Sequence, residues 1–419
     1  SPNKRILTTP QEQMKKYLTV ILCALFPMMH SAAQSKYDLQ RPFGWATSTS
    51  LTSGDDYNLT GGGTFTIDLP DSVPGRKTIV VRNTGGDMRD ALISAIKAND
   101  IIILDGSEGE LTVSGTLELK GLSSKTIIGR NNASIRTRFR LTPDIHKLLN
   151  DSNVLSLSTA AAKQPFILPN GQKVKEECEY AIRKILSTSL NDPKETYRHS
   201  GLMHFYACEN IILRNITFQG PGSVDVSGDD LMTLSDGSRH IWVDHCEFVD
   251  GIDGNFDING HSDFITISWC VFRYTPLSYV HANSNLVGSS DNEKSNGEDN
   301  LNVTYAFNRW GEGCDQRMPM VRFGTIHVMN NLYDCQGNHG AVNPRHNSEV
   351  LVENNYFDKG VRKIFSENGS RSFQLRGNIY SERFKQPADK GAVYIPYKYE
   401  AAPACHVPDI VRQYAGPRK

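Results

Sequence analysis

Five aspartates stand close together in HIWVDHCEFVDGIDGNFDINGHSDFITISWCVF, residues 240–272: Asp244, Asp250, Asp253, Asp257 and Asp263. The residues around them alternate as in strands, yet carboxylates are depleted from strands and rarely buried without a partner. Carboxylates that converge on one face repel one another unless a cation lies among them. The pattern places Asp244 on an outward face with Asp253 and Asp257, and three hard oxygen donors favour Ca²⁺ over Zn²⁺.

Arginines follow these aspartates at a similar repeat distance. DQRMPMVRFG contains Arg317 and Arg322, and NPRH adds Arg345 one segment later. Arginines beside a bound cation suit a polyanionic chain, because guanidinium groups pair with carboxylates in a fixed geometry. Without them, solvated turn aspartates would be the simpler interpretation of the acidic cluster.

Seven segments share one strand-like pattern and supply the elements that must position these side chains. Their starts are separated by 30, 24, 38, 23, 24 and 23 residues. The segments are NIILRNITF (210–218), HIWVDHCEF (240–248), FITISWCVF (264–272), NVTYAFNRW (302–310), TIHVMNNLY (325–333), EVLVENNYF (349–357) and SFQLRGNIY (372–380). Apolar residues alternate in each, as in a strand with one buried face.

Two columns of like residues run through these repeats. The aromatic column is Phe218, Phe248, Phe272, Trp310, Tyr333, Phe357 and Tyr380, and the column two positions earlier is Ile216, Cys246, Cys270, Asn308, Asn331, Asn355 and Asn378. A repeat of about 23 residues with such columns predicts an all-β solenoid, the parallel β-helix, in which like residues stack roughly 4.8 Å apart.

The remaining segments add to this solenoid. Residues 87–106 predict a short N-terminal capping helix that leads into a strand, and residues 141–200 predict a partly helical insertion. The polar stretch 283–300 predicts an extra loop. The tail beyond residue 381 lacks periodicity, so we expect it to pack along the side of the solenoid. The cysteines after Cys23 are odd in number and widely spaced, which favours core thiols over a disulfide framework.

The N-terminal region predicts export. From Met14 the chain reads MKKYLTVILCALFPMMHSAAQS, with two lysines, a short apolar stretch and small residues near Ala33. This is the pattern of a secretory signal, and the apolar stretch is too short to span a bilayer. We expect residues 1–34 to be upstream sequence and signal peptide, and residues 35–419 to form one exported, monomeric domain. The net charge of −1 indicates neither a nucleic acid nor a membrane surface as partner.

At these residues the sequence resembles the secreted bacterial pectate lyases of polysaccharide lyase family 1. The matching motifs are FGWA (43–46), KTIIG (125–129), IWVDH, DGNFDI, SDFITISWCVF, RMPMVRFGTIHVMNNLY and NPRHNSEVLVENNYF. The resemblance implies a right-handed parallel β-helix and calcium-dependent β-elimination of polygalacturonate or pectic oligosaccharides.

The resemblance also implies roles for individual residues. Asp244 matches the aspartate of the WxDH motif, and Asp253 and Asp257 match the acids of DGxxD, so these three are the implied Ca²⁺ ligands. Arg317 is the implied catalytic base that removes the C5 proton, and Arg322 is implied to bind substrate. Since arginine normally stays protonated, an arginine base implies an alkaline optimum.

Two positions depart from the family pattern. Leu277 stands where the resemblance expects a substrate-binding lysine, and Met320 stands for a further arginine. One cation is therefore missing, and Arg273 or Lys294 are candidates to replace it.

Two alternatives stay open at this stage. One is a non-catalytic pectin-binding β-helix. The other is a polygalacturonase-type hydrolase, which would use paired carboxylates. SGDD (227–230) and GNHG (337–340) faintly resemble pieces of the hydrolase site, but no NTD or RIK motif accompanies them.

Overall fold

The computed structural model describes residues 36–53, 55–154, 174–190, 197–297 and 299–418. The chain divides into the units Ser1–Asp38 and Leu39–Lys419, and all elements given below belong to the second unit. The predicted signal peptide lies outside the described residues. Within those residues, no helix has both the length and the apolar character required to cross a membrane.

Three parallel sheets form the body of the second unit. Sheet A consists, in spatial order, of β1 (Thr78–Arg82), β2 (Ile101–Asp105), β5 (Ser123–Arg130), β8 (Glu209–Arg214), β11 (Arg239–Asp244), β14 (Asp263–Ser268), β17 (Val303–Ala306), β20 (Thr325–Met329), β23 (Glu349–Glu353) and β25 (Ser372–Arg376). Sheet B consists of β3 (Leu111–Val113), β6 (Ser134–Thr137), β9 (Thr217–Gln219), β12 (Glu247–Val249), β15 (Val271–Arg273), β18 (Arg309–Trp310), β21 (Leu332–Tyr333), β24 (Tyr356–Phe357) and β26 (Ile379–Tyr380). Sheet C consists of β4 (Leu117–Lys120), β7 (Met203–Tyr206), β10 (Met232–Ser235), β13 (Phe256–Ile258), β16 (Asn285–Val287), β19 (Met320–Val321) and β22 (Asn343–Pro344).

Each complete coil contributes one strand to each sheet, in the order A, B, C. Strand β11, for example, pairs with β8 on one side and β14 on the other, with Val243 opposite Leu213 and Ile267. Consecutive coils therefore stack in register, and residues at equivalent positions become neighbours. The predicted parallel β-helix is confirmed.

The two predicted columns lie inside the solenoid. Ring centroids of successive residues in the aromatic column, from Phe218 to Tyr380, are 4.4–5.6 Å apart and the rings are nearly parallel. In the asparagine column, Asn308 donates from its side chain to Asn331 Oδ1 at 3.1 Å, and the same contact repeats to Asn355 and Asn378 at 3.0 Å. Stacked amides and rings thus fix the register of one coil on the next.

Buried cysteines continue the interior. Cys246 and Cys270 stand on successive coils of the asparagine column, and both are fully buried free thiols. The other free cysteines among the described residues, also buried, are Cys178, Cys208, Cys314 and Cys335. The prediction of buried core thiols is confirmed for these six cysteines, whereas Cys405 is disulfide-bonded.

Helices lie at the periphery of the solenoid. Helix α1 (Arg89–Ala98) buries Leu92 and Ile96 in the main core and is the predicted capping helix. The insertion contains α2 (Pro143–Asp151) and α3 (Val174–Leu190), which pack on the turns that precede sheet C in a separate hydrophobic cluster. A one-turn helix, α4 (Glu293–Asn296), lies in the predicted extra loop.

The C-terminal tail runs back along the outer side of sheets A and B, as expected from its lack of periodicity. Tyr397 bonds to Thr304 and His327, and Arg412 of helix α5 (Val407–Tyr414) pairs with Asp358. Earlier in the tail, Lys390 forms an antiparallel bridge with Phe373 on β25, the last strand of sheet A. The tail therefore covers both the side and one end of the solenoid.

Candidate active site

The outer face of sheet C carries a row of side chains in register. The row runs Glu118, His204, Thr233, Asp257, Leu286, Met320 and Asn343, one residue from each successive strand. Their strand neighbours, such as Phe256 and Ile258, belong to the core, so the row points away from it. Sheet C therefore presents a continuous outer surface across all seven of its strands, polar except at Leu286 and Met320.

A cluster of acids lies at the middle of this surface. Asp257 on β13 is 7% exposed, and its Oδ1 accepts a bond from the backbone N–H of Leu286 at 3.1 Å. The charge of its carboxyl group acts on that of Asp230, which comes just before β10. Asp253, in the turn before β13, interacts electrostatically with both.

Burial and mutual repulsion shift the acids of this cluster. Burial raises the pKa of Asp257 to about 6, with Arg317 opposing the rise and Asp253 adding to it. Burial, followed by the negative charges of Asp257 and Asp253, raises the pKa of Asp230 well above its usual value. A raised pKa means that the cluster favours a proton or a cation over free carboxylates.

Three arginines adjoin the acids on the C-terminal side of this surface. Arg317 directly precedes the cis Met318–Pro319 bond and is close enough to Asp257 to act on its charge. Arg322 follows β19, and Arg345 follows the neighbouring β22. Burial lowers the pKa of Arg322, and the charges of Arg345 and Arg317 lower it further. The structure thus brings the three predicted arginines close to one another, and Arg317 lies near Asp257.

Asp244 does not join this cluster, and the prediction that it lies on one face with Asp253 and Asp257 is wrong. It ends β11 on sheet A and is 1% exposed. Its Oδ2 accepts bonds from Arg214 (Nη2 at 2.7 Å) and from His245 (Nδ1 at 2.6 Å), and its Oδ1 accepts one from Ser268 Oγ at 2.6 Å. Despite burial, His245 and Arg214 hold the pKa of Asp244 well below its usual range.

The cover over Asp244 comes from the N-terminal segment. The alternation of β11 does turn Asp244 away from the interior, but Arg214 beside it donates to the carbonyl of Phe65 and to Gln40. The segment from Leu39 onward packs on this outer face, where Ala46 and Leu59 contact Trp242. Asp244 is therefore a buried structural ion pair.

The other aspartates of the opening stretch also have local partners. Asp250 is fully buried and accepts bonds from Thr275 (N at 2.7 Å, Oγ1 at 2.6 Å) and Ser278. Asp263 accepts from Asn302, and burial raises its pKa to about 6. Both residues tie one coil to the next.

Comparison with known proteins agrees with this architecture. A pectate lyase family model matches residues 156–419, which is more than half of the chain. This chain belongs to the pectate lyase family. A pectate trisaccharide-lyase of Thermotoga sp. (strain RQ2) is 42% identical over 132 residues, covering 30% of this chain and 34% of the relative. One from Bacillus licheniformis is 32% identical over 225 residues, covering 50% of this chain and 61% of the relative. The chain thus spans between about a third and three fifths of these pectate lyases.

Solved structures share the fold over nearly the whole chain. The pectate lyase of Bacillus sp. N165, determined in complex with trigalacturonate, superposes with a TM-score of 0.57 at 20% identity, covering 90% of this chain and 98% of that one. The cedar pollen allergen jun a 1 gives 0.53 at 17% identity, covering 87% and 94%. At such identities the likeness concerns the β-helix alone.

Leu277, the first departure from the family pattern, lies outside the row of residues on sheet C. It belongs to the turn before β16 and lines a cavity of about 550 Å³ with residues of helix α2 such as His146 and Lys147. His146 Nε2 is 2.8 Å from its carbonyl oxygen. The chain enters sheet C only at Asn283, which forms a parallel bridge with Gln316. Leu277 comes six residues earlier and therefore does not lie on the outer face of sheet C.

The second departure, Met320, does lie on that face. It stands between Leu286 and Asn343 in the row, and its sulfur is 3.5 Å from Arg345 Nη1. Arg273, a candidate replacement cation, lies on sheet B and pairs with Glu247 at 2.6 Å, which removes it from this surface.

Sequence reasoning missed Asp230. It lies about one repeat of 23 residues before Asp253, so the solenoid period carries one residue onto the next coil beside the other. That offset was the available signal. It was overlooked because Asp230 precedes its strand in a turn, outside the aligned repeat segments.

Proposed function

We propose that this protein cleaves polygalacturonate, or pectic oligosaccharides, by calcium-assisted β-elimination on the outer face of sheet C. The observation that supports this most directly is the partly buried cluster of Asp230, Asp253 and Asp257, whose repulsion calls for a cation, adjoined by arginines suited to uronate carboxylates. Membership of the pectate lyase family supports the reaction class. Export of the mature domain, residues 35–419, is part of the same proposal.

The acid cluster fits a calcium ion in donor type and in space. All three side chains supply hard carboxylate oxygens, which Ca²⁺ prefers. Gly254 lines the cluster, and a Cβ placed there would approach Asp230 Oδ1 to 2.7 Å and Asp257 Oδ1 to 3.5 Å. The glycine therefore leaves room in front of the two carboxylates that a side chain would fill. Asp230 replaces Asp244 in the proposed ligand set.

Bound calcium would polarise a uronate carboxylate and so stabilise the negative charge that develops as the C5 proton leaves. Arg317, in its neutral form, takes that proton. The electron pair of the C5–H bond forms the C4–C5 double bond, and the C4–O bond breaks with the leaving oxygen taking up a proton from water. Arg322 and Arg345 donate charge-assisted hydrogen bonds to the carboxylates of the uronate residues that lie over the neighbouring coils.

Hydrolysis is disfavoured by the arrangement of the acids. Glycosidases need two carboxyl groups that flank the scissile bond, roughly 5–9.5 Å apart. Asp230, Asp253 and Asp257 instead form one cluster whose charges act on one another. The two hydrolase-like fragments precede β10 and β22, which are four strands apart, or about 19 Å at a spacing of ~4.8 Å. A purely binding protein would have no use for Arg317 next to the proposed cation.

The deciding experiment follows ultraviolet absorbance while the purified protein acts on polygalacturonate, with calcium and then with excess chelator. Elimination creates a conjugated double bond that absorbs, so we expect a calcium-dependent rise. New reducing ends without a rise in absorbance would reveal a hydrolase. If neither signal appears, the non-catalytic binding role remains.

The raised pKa of Asp257 predicts how calcium stabilises the protein at different pH. The folded state disfavours the ionised carboxyl, so without calcium the stability falls as pH rises from the unfolded value of 3.8 through about 6. Calcium at 100 times its Kd adds roughly 2.7 kcal/mol to the free energy of unfolding. Calorimetry should therefore show a calcium-dependent rise in Tm near neutral pH that is largely lost below about pH 4. An equal rise at both would contradict the assignment of these acids.

Asp291 predicts a smaller effect on substrate binding. Its Oδ1 accepts from Arg322 Nε at 2.8 Å, and the Gly288 carbonyl accepts from Nη1 at 2.8 Å, which orients the guanidinium. Because Asp291 is 63% exposed, the pair contributes about 1 kcal/mol at most. We expect Asp291→Ala to raise KM about fivefold with kcat nearly unchanged, and Asp291→Asn, which keeps an acceptor, to have less effect. A lower KM in Asp291→Ala would mean that Asp291 competes with substrate.

A further inference from the structure

A second group of potential ligands adjoins the acid cluster and shares Asp253 with it, whereas its other two members, Asp225 and His281, have no role in the proposed reaction. Asp225, Asp253 and His281 each come from the turn between sheet B and sheet C, on three successive coils. One ligand atom from each lies within 4.8 Å of the others. The stacking of coils therefore brings two carboxylates and one imidazole to one point.

The imidazole stands between the two carboxylates. His281 Nε2 is 3.0 Å from Asp253 Oδ1, and its Nδ1 is 3.9 Å from Asp225 Oδ1. The amide of Asn283, itself only 5% exposed, points into the group and lies 2.9 Å from the same Nε2. A buried amide thus fixes the ring against Asp253 before any ligand arrives.

The charges of this group are not balanced by other side chains. Among the described residues, neither Asp225 nor Asp253 has an ion pair with lysine or arginine. The nearest further acids, Asp230 and Asp257, add negative charge. The three side chains are 15–28% exposed, so the group opens to solvent on one side.

We propose that Asp225, Asp253 and His281 form a binding site for a first-row divalent transition-metal ion, distinct from the proposed calcium site and joined to it through Asp253. Two carboxylate oxygens with one imidazole nitrogen form a donor set that suits Zn²⁺ or Co²⁺, whereas Ca²⁺ takes oxygen ligands. Three protein ligands leave a coordination position open toward solvent. A uronate carboxylate that reaches the acid cluster is of the right chemistry to fill it.

The test uses Co²⁺ as a spectroscopic probe and Zn²⁺ as a competitor, with the purified protein in calcium-saturated buffer. We expect the visible absorption of one bound Co²⁺ per chain and its displacement by Zn²⁺. His281→Gln and Asp225→Asn should each weaken Co²⁺ binding at least tenfold. The matched control is His339→Gln, because His339 pairs with Asp315 at 2.7 Å and forms no ion pair with a second carboxylate within the described part of the chain. The His339→Gln variant should bind Co²⁺ as the unmodified protein does.

Three results would overturn the proposal. They are the lack of a Co²⁺ spectrum in the calcium-saturated protein, unchanged affinity in His281→Gln, and equal loss in His339→Gln. In the first two cases His281 serves only as an ion-pair partner of the two aspartates. Circular dichroism of each variant separates a lost ligand from a lost fold. Cleavage of polygalacturonate by the same preparations reports on the proposed function, so the two proposals fail separately.

Discussion

Arg317→Ala is expected to lower the rate of calcium-dependent polygalacturonate cleavage by about 10²–10⁴-fold, the range contributed by a positioned proton acceptor. The loss should fall on kcat more than on KM, because the proton moves only in the transition state. The measurement is the initial rise of ultraviolet absorbance over a range of substrate concentrations. Calcium binding, followed by titration calorimetry, should persist, since Arg317 supplies no carboxylate to the acid cluster.

A matched variant separates the role of Arg317 from general loss of positive charge. Arg309→Ala removes a partly buried arginine that pairs with Asp334 on sheet B, away from the outer face of sheet C. We expect its activity to stay close to that of the unmodified protein. If Arg317→Ala retains full activity while Asp257→Asn loses it, the calcium site stands and another group removes the proton.

Asp244→Ala is expected to destabilise the protein by about 3–5 kcal/mol, because it leaves the buried Arg214 guanidinium without its carboxylate. The depressed pKa of Asp244 has the same consequence in acid. Its contribution is present above the unfolded pKa and is lost only as pH falls through the lower folded value. Denaturant unfolding at neutral and at acid pH, each with and without calcium, measures the loss of stability and its dependence on pH.

The contrast with Asp257→Asn makes this prediction sharp. Asp257 has a raised pKa, so its charge opposes folding near neutral pH, and the asparagine variant should be at least as stable as the unmodified protein in chelator. It should, however, lose the stabilisation by calcium, whereas Asp244→Ala should keep it. The reverse pattern would return Asp244 to the ligand set and remove Asp257.

The solenoid could be predicted from the sequence because its signal repeats. Aromatic residues such as Phe248 and Trp310 recur at fixed positions, and the asparagines two places earlier can satisfy one another only when coils stack. The lengths of the sheets could not be predicted in the same way. Strands such as Met320–Val321 are too short to carry any periodicity of their own.

The candidate site could be predicted only in part. Asp253 and Asp257 lie on or next to one strand of the same sheet, so local spacing was enough to group them. Asp244 was misplaced because alternation indicates which side of a strand a residue takes, not which of three sheets the strand joins. Its ion pair with Arg214 depends on the register between β8 and β11, a contact between residues distant in sequence.

The bridge between Lys390 and Phe373 bears on aggregation. A stack of parallel strands ends in an open edge, and such an edge can template another chain, as in cross-β fibres. Here the tail returns to the last strand of sheet A, places one antiparallel residue on it and leaves a lysine there. The mismatched strand direction opposes growth by a second molecule, and an ion pair with Glu367 holds the lysine at this edge. The tail thus caps the C-terminal edge of sheet A and prevents further strands from pairing with it.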